Sequence, residues 1–294
     1  MPPAVWSVKQ ETRPFVSLCD TAGPMPTIPA PSPLALWPTA ARERIRGVLT
    51  DIDDTLTTDG AITDDALDAL HRLRAAGLPV LAITGRPAGW SEAFSLAWPV
   101  DAIVAENGAV ALWRGADGRL CRDYLQDAAT RTTNFARLHA VAQRVLRELP
   151  QTRLATDSPG RETDIAIDHS EFAHLDEAEI AQVVALMRIE GLNATVSSIH
   201  INGWIGEHDK LAGARWIVRS RLGRDLDAEL DHWVYVGDST NDARMFGHFP
   251  HSVGVANVAR FWAALSHHPR FVAQGERGAG FTEVADAVLR ARAA

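Results

Sequence analysis

Thr50-Asp51-Ile52-Asp53-Asp54-Thr55-Leu56-Thr57 is the stretch on which the reading of this chain turns. It follows Ile45-Arg46-Gly47-Val48-Leu49, a short aliphatic run that reads as a buried strand, so the acidic cluster falls at the strand's carboxyl end. Ligands of open α/β sheets bind at that end. Asp51 and Asp53 are two residues apart, and while strand geometry lasts their side chains project the same way. Two carboxylates so close are costly unless a cation lies between them or one keeps a proton. A solvated acidic turn and a calcium loop are the plainer readings. An EF-hand starting at Asp51 needs Gly at its sixth position and Glu at its twelfth, where this chain has Leu56 and Ile62.

A second acidic turn lies far downstream. Trp233-Val234-Tyr235-Val236 is another strand-like run and opens into Gly237-Asp238-Ser239-Thr240-Asn241-Asp242. Two apolar strands that each deliver aspartates suit a hard cation such as Mg2+, held by a few carboxylates, water and substrate oxygens. With Thr84-Gly85-Arg86 at the end of a further strand and Lys210 upstream of the second acidic turn, the order is Asp-x-Asp-x-Thr, Thr-Gly-Arg, Lys, Gly-Asp-x-x-Asn-Asp. This set, spanning Asp51 to Asp242, resembles the haloacid dehalogenase (HAD) superfamily of phosphatases.

A chain of 294 residues can bury a substantial core as one large domain or two modest ones. Apolar content of 46% and charged content of 22% are those of an ordinary soluble globular protein. No run of 18 apolar residues suggests a membrane span. The net charge of −8 argues against nucleic-acid or anionic-membrane partners. It leaves a small phosphorylated metabolite open, provided the site supplies local positive charge. Cys19 and Cys121 are far apart and lack metal-ligand spacing, so neither a disulfide framework nor a zinc site is expected, and a reducing cytoplasm is the simplest compartment. Residues 1–43 hold nine of the sixteen prolines and are expected to stay extended or disordered.

Along the rest of the chain, Thr63-Asp64-Asp65 opens a helix whose Leu67, Leu70 and Leu73 form an apolar stripe, and Gly77 with Pro79 stops it. Val80-Leu81-Ala82-Ile83 is then a buried strand, giving a βαβ unit with parallel strands. Val100–Ala105 leads through Glu106-Asn107-Gly108-Ala109, a hairpin signal, to a return strand at 110–113. From 114 to 205 helices and strands mix differently: helices over 128–149 and 177–189, strands over 163–167 and within 194–204. The expected fold is therefore α/β, a doubly wound parallel sheet over 44–113 and 206–294, with an inserted α+β cap over 114–205. His200 and Asn202 share one side of their strand, either on a solvated face or against a substrate.

The resemblance, and within it the subgroup IIB whose caps these insertions resemble, implies a Mg2+-dependent phosphomonoester hydrolase acting on a sugar phosphate. It implies Asp51 as nucleophile, forming an aspartyl-phosphate, and Asp53 as the acid and base. Mg2+ would be held by Asp51, the Asp53 carbonyl and Asp238, with Asp242 direct or one step removed. Thr84, the Gly85 turn and Lys210 would hold the phosphoryl group. Arg86, Glu106, Asn107, His200 and Asn202 are candidate substrate contacts, with Arg161 and Trp204 behind them. Asp54 stands where many relatives have Gly and adds acidity to the turn. A hexose phosphomutase and a mannosyl-3-phosphoglycerate phosphatase-like enzyme are alternatives, the latter needing cap cations such as Arg161 or Arg119. A non-catalytic sugar-phosphate sensor is the third, although Asp51, Asp53, Asp238 and Asp242 are all present.

Overall fold

The aliphatic run before the first acidic loop forms β1 (Gly47–Thr50), with all four residues buried, as expected of a central strand covered on both faces. The computed structural model describes residues 30–293. After β1 the chain makes a small hairpin, β2 (Thr57–Thr58) and β3 (Ala61–Ile62). Preceding β1 is a short helix, α1 (Thr39–Glu43). Next come α2 (Asp64–Ala75), β4 (Val80–Ile83), α3 (Ala88–Ala97), β5 (Ala102–Ala105), β6 (Val110–Arg114) and β7 (Leu120–Tyr124). The second unit adds α4 (Ala128–Glu148), β8 (Arg153–Leu154), β9 (Asp164–Asp168), α5 (Glu177–Ile189), β10 (Asn193–Val196) and β11 (His200–Trp204). The chain closes with α6 (Lys210–Leu222), β12 (Trp233–Gly237), α7 (Ala243–His248), β13 (Ser252–Gly254), β14 (Phe271–Val272) and α8 (Arg277–Ala293).

Eight strands form one sheet in the order β14-β13-β12-β1-β4-β5-β6-β7, parallel except at β5-β6 and β6-β7. The chain moves outward from β1 in one direction through β4 and β5, and in the other through β12 and β13. That reversal opens a crevice at the carboxyl ends of β1 and β12. Register pairs Thr50 with Val236, and Asp51 N–H continues the ladder to the Val236 carbonyl at 2.9 Å, which sets the two acidic loops side by side. One face of the sheet is covered by α2, α8 and the segment before β1, the other by α6 and α7. The second sheet, β10-β11-β9-β8, is antiparallel and packs α4 and α5 on one face through Leu138, Val145, Val183 and Met187.

Two sequence expectations need correction. Residues 114–124 do not belong to the second unit, because Leu120–Tyr124 pairs with β6 and extends the large sheet. The Pro-rich segment is docked where it is described: the expected disorder over 1–43 fails for 30–43, and residues 1–29 lie outside the described residues. Val272 N–H bonds the Ser32 carbonyl at 2.8 Å, and Trp37, 1% exposed, stacks on Phe271 with ring centroids 6.1 Å apart. Proline's missing N–H is no obstacle at a sheet edge, and an indole buries more apolar surface than a short segment needs for anchoring. Trp37→Ala is expected to cost about 3–5 kcal/mol in urea unfolding of the full chain; a loss within experimental error would show that the segment is not part of the core.

Candidate active site

The crevice collects three buried carboxylates. One oxygen from each of Asp51, Asp238 and Asp242 lies within 4.8 Å of the others. Lys210 enters from the first position of α6, where the helix dipole disfavours a cation, and is held there by ion pairs of 2.7 Å to both Asp51 and Asp242. The helix is aligned by Asp209, whose carboxylate caps the Ala212 N–H at 2.8 Å. It also needs Gly108, at φ +109, because a Cβ there would stand 2.2 Å from the Asp209 carbonyl.

Asp242 accepts from four donors: Lys210 and the Tyr235 hydroxyl on Oδ1, and the Asp238 and Ser239 N–H groups on Oδ2. Asp238 differs. Its Oδ2 accepts from Asn257 at 3.0 Å, whereas its fully buried Oδ1 has no hydrogen-bond partner. Burial, helped by Asp242 and Asp53 and opposed by Lys210, pushes the Asp51 carboxyl up to about 8. Burial and the neighbouring Asp51 and Asp242 raise Asp238 well above the carboxylate range. Lys210 is raised despite its burial, because Asp242 and Asp51 outweigh desolvation. The centre is thus short of positive charge, and an orphan carboxylate oxygen at its middle fits a divalent cation.

The remaining expected residues fall into two groups. Thr84, fully buried at the end of β4, accepts the Arg86 N–H on its hydroxyl at 3.0 Å, while the Gly85 carbonyl accepts from Arg161 at 3.0 Å and Asn202 at 3.2 Å. Arg86 neither faces solvent nor stands free: its guanidinium pairs with Asp53 at 2.9 Å, Asp157 at 3.1 Å and Glu171 at 3.2 Å, and its carbon lies 5.2 Å from the Trp90 ring centroid. It ties the acidic loop after β1 to two carboxylates of the second unit.

Glu106 and Asn107 both take left-handed φ, +50° and +55°, a cost of order 1–3 kcal/mol each that surrounding contacts must offset. Glu106 is fully buried and accepts from Ala88 N–H, Glu162 N–H and both the N–H and hydroxyl of Thr163, so it joins the two units and has no oxygen left for a substrate. Its carboxyl is raised by burial against those donors. His200 and Asn202 occupy neither a solvated face nor an open pocket. Asn202 and Asn107 both donate to Asp164, and His200 lies against Glu171 at 3.2 Å and Arg161 at 3.5 Å. Burial pushes Asp164 up to about 7 against the pull of Arg161, and the His200 hydrogen bond leads the effects that pull Glu171 down to about 2.

Sequence reasoning missed Asp157, Asp164, Glu171, Tyr235, Asn257 and Arg277. Apart from Tyr235, which lies in the strand before the second acidic turn, each is a lone polar residue without a motif, and only the fold shows what any of them meets. The added acidity of Asp54 is answered here: it adopts φ +54, the conformation a glycine would take, and pairs with Arg277 at 3.1 Å. Its carboxyl is still raised, burial exceeding the effect of Arg277.

Two cavities of about 680 Å3 flank the centre. One lies between the acidic loop and the second unit, lined by Asp53, Arg86, Ser170, Glu171, Phe172 and Ser198. The other lies behind Lys210, beside Trp204, His208 and Thr240.

A buried aspartate at a strand's carboxyl end, a lysine clamped between two carboxylates and a second unit packed beside them define an α/β fold with a buried acidic centre. Residues 48–143 match the sequence profile of the haloacid dehalogenase-like hydrolases. No curated protein matches the chain in sequence. The fold is shared with a Thermoplasma acidophilum protein at 18% identity and TM-score 0.63, covering 83% of this chain and 98% of that one. It is also shared with the sucrose-phosphatase of Synechocystis sp. PCC6803, at 15% identity and TM-score 0.59, over 82% of this chain and 97% of that one. A HAD subclass IIB sugar phosphatase aligns at 16% identity and TM-score 0.55, over 84% and 97%. Among the described residues no helix is long and apolar enough to cross a membrane.

His208, two residues before Lys210, is buried against Trp204 at 5.9 Å between ring centroids, with no partner for either ring nitrogen. Burial pushes it down to about 4, with Asp209 opposing. Between the free-histidine value of about 6.5 and 4, the unfolded chain binds a proton that the folded chain does not. Stability contributed here is therefore present at neutral pH and lost as pH falls through that window, by up to about 3 kcal/mol. The gap in unfolding free energy between wild type and His208→Leu is expected to change with pH across 6.5 to 4; a constant gap would contradict a neutral, buried ring.

Proposed function

We propose that this protein is a Mg2+-dependent phosphomonoesterase whose substrate is a sugar phosphate with an uncharged, hydroxyl-rich leaving group. The observation that carries the reading is the placement of Asp51 beside Lys210 and the unpartnered Oδ1 of Asp238. Mg2+, when held by Asp51, Asp238 and the Asp53 carbonyl, supplies the positive charge that the buried carboxylates and a transferring phosphoryl group lack. Asp242 acts as the anchor of Lys210 and of the second acidic loop rather than as a ligand, since its oxygens already accept from four donors.

The Asp51 carboxylate attacks phosphorus, forming the acyl-phosphate bond while the ester P–O bond breaks. Asp53 gives its proton to the departing alcohol oxygen and then takes one from the water that hydrolyses the intermediate. Lys210, the Thr84 hydroxyl and the Gly85 turn bind the phosphoryl oxygens. Arg86 fixes the rotamer of Asp53, and the second unit closes on Arg86 through Asp157 and Glu171, so that excluding water and orienting the acid are one event.

The cavity beside Asp53 favours a neutral leaving group. Its lining from the second unit includes His169, Ser170, Ser198 and Glu171 but no lysine or arginine, and the three arginines that the sheet unit adds are paired with carboxylates: Arg86 with Asp53, Arg277 with Asp54 and Arg260 with Glu276 at 3.7 Å. Arg161 is consumed by Asp157, Asp164 and the Gly85 carbonyl, and Arg119, 87% exposed on the β6-β7 hairpin, pairs only with Asp117. A phosphoglycerate conjugate would therefore bring its carboxylate to a cavity whose arginines are already paired with carboxylates.

In a phosphate-release assay, Asp51→Asn is expected to lower turnover by on the order of 10^4 or more, with an unchanged circular dichroism spectrum. EDTA should abolish activity and Mg2+ restore it. Across hexose and disaccharide phosphates, phosphoglycerate conjugates and nucleotides, the neutral-sugar esters should give the highest kcat/KM. Wild-type rates from the Asn variant would refute the nucleophile, and preference for an anionic leaving group would refute the substrate class.

A further inference from the structure

Asn257 lies beyond every motif discussed so far, in the turn after β13, and is 2% exposed. Its side-chain amide is fully used. Nδ2 donates to Asp238 Oδ2 at 3.0 Å and to the Asp54 carbonyl at 3.0 Å, while Oδ1 accepts the Arg277 N–H at 2.9 Å. The partners fix the amide's orientation, because a carboxylate and a carbonyl demand donors and a backbone N–H demands an acceptor. One side chain thus spans the loop after β1, the loop after β12 and the start of α8. The Arg277 side chain reinforces the same junction by pairing with Asp54 at 3.1 Å and Asp59 at 2.7 Å, on the hairpin that follows Asp53.

We infer that Asn257 is a positioning residue that orients the Asp238 carboxylate and sets the spacing of the two acidic loops for a divalent cation. By engaging Oδ2 it fixes the rotation of a carboxylate whose Oδ1 is buried and unpartnered and which has an oxygen within 4.8 Å of oxygens of Asp51 and Asp242. By holding the Asp54 carbonyl it fixes the peptide next to the Asp53 carbonyl, the backbone group assigned above to Mg2+. Without it, Asp238 is free to rotate and both loops lose their shared tie. The inference rests on the Mg2+ reading, and partners that orient metal-binding carboxylates typically cost 10–100-fold in metal affinity when removed.

The test is Mg2+ binding to the full chain, by calorimetry and by the rise in unfolding temperature between EDTA and increasing MgCl2. Asn257→Leu keeps the shape and removes every hydrogen bond; Asn257→Ala is the companion if the leucine variant does not fold. Either folded variant is expected to need about 10–100-fold more Mg2+ for half-saturation, with much of the lost turnover regained at high Mg2+. A purely structural role would lower the unfolding temperature in EDTA but leave the Mg2+ midpoint at the wild-type value, and that result overturns the inference. Failure of the wild-type chain itself to bind millimolar Mg2+ would instead sink the Mg2+ reading, so the two failures are distinguishable.

Discussion

Three carboxylates buried in one crevice repel each other, and a single lysine holds them. Lys210 bridges Asp51 and Asp242 at 2.7 Å each, and most of the molecule's design can be traced to getting that ammonium to that point. It needs α6 to begin where the dipole is least welcoming. It needs Gly108 without a Cβ beneath the Asp209 carbonyl. It needs β1 and β12 in register, so that the two loops leave the sheet as neighbours. Burial, with one positive charge set against three negative ones, raises Asp51 and Asp238 instead of lowering them.

The second unit is fastened to the sheet by charge and hydrogen bonds more than by apolar contact. Glu106 threads four donors from both sides, Arg161 and Asn202 reach the Gly85 carbonyl, and Arg86 links Asp53 to Asp157 and Glu171. Such contacts lose their water on closing and regain it on opening, so their net strength is modest compared with an apolar seam of the same extent. The close approach of Gly89 to Gly160, where a Cβ on Gly89 would stand 2.9 Å from the facing Cα, shows how tightly the two backbones meet.

The candidate substrate contacts changed meaning once their neighbours were visible. Glu106, Asn107, His200 and Asn202 read as residues facing a ligand, and each is buried with partners from the protein itself, while Asn107 also lines the cavity behind Lys210 and the Asn202 Oδ1 has no partner. Their residue types gave no warning, because a polar side chain at a loop is equally suited to a ligand and to an interface. The cavity beside Asp53 is lined by one of the candidates, Arg86, together with Ser170, Glu171, Phe172 and Ser198, whose sequence context is unremarkable.

What the sequence determined by itself was the parallel part of the sheet and the two acidic turns at its edge. Aliphatic runs of four or five residues bounded by turns force buried strands, and aspartates placed directly after two of them sit at the carboxyl ends whatever the rest of the chain does. Helix starts such as Asp64 and Lys210 followed from local capping and apolar spacing. Tertiary structure decided the partnerships: that Asp242 is saturated while Asp238 keeps a bare oxygen, that Arg86 serves three carboxylates, that Asn257 joins two loops, and that Trp37 docks a proline-rich segment. The physical reason is range. Strand and helix signals are written in neighbouring residues, whereas hydrogen bonds between positions as far apart as Asp54 and Asn257 exist only after the fold has brought them within 3 Å.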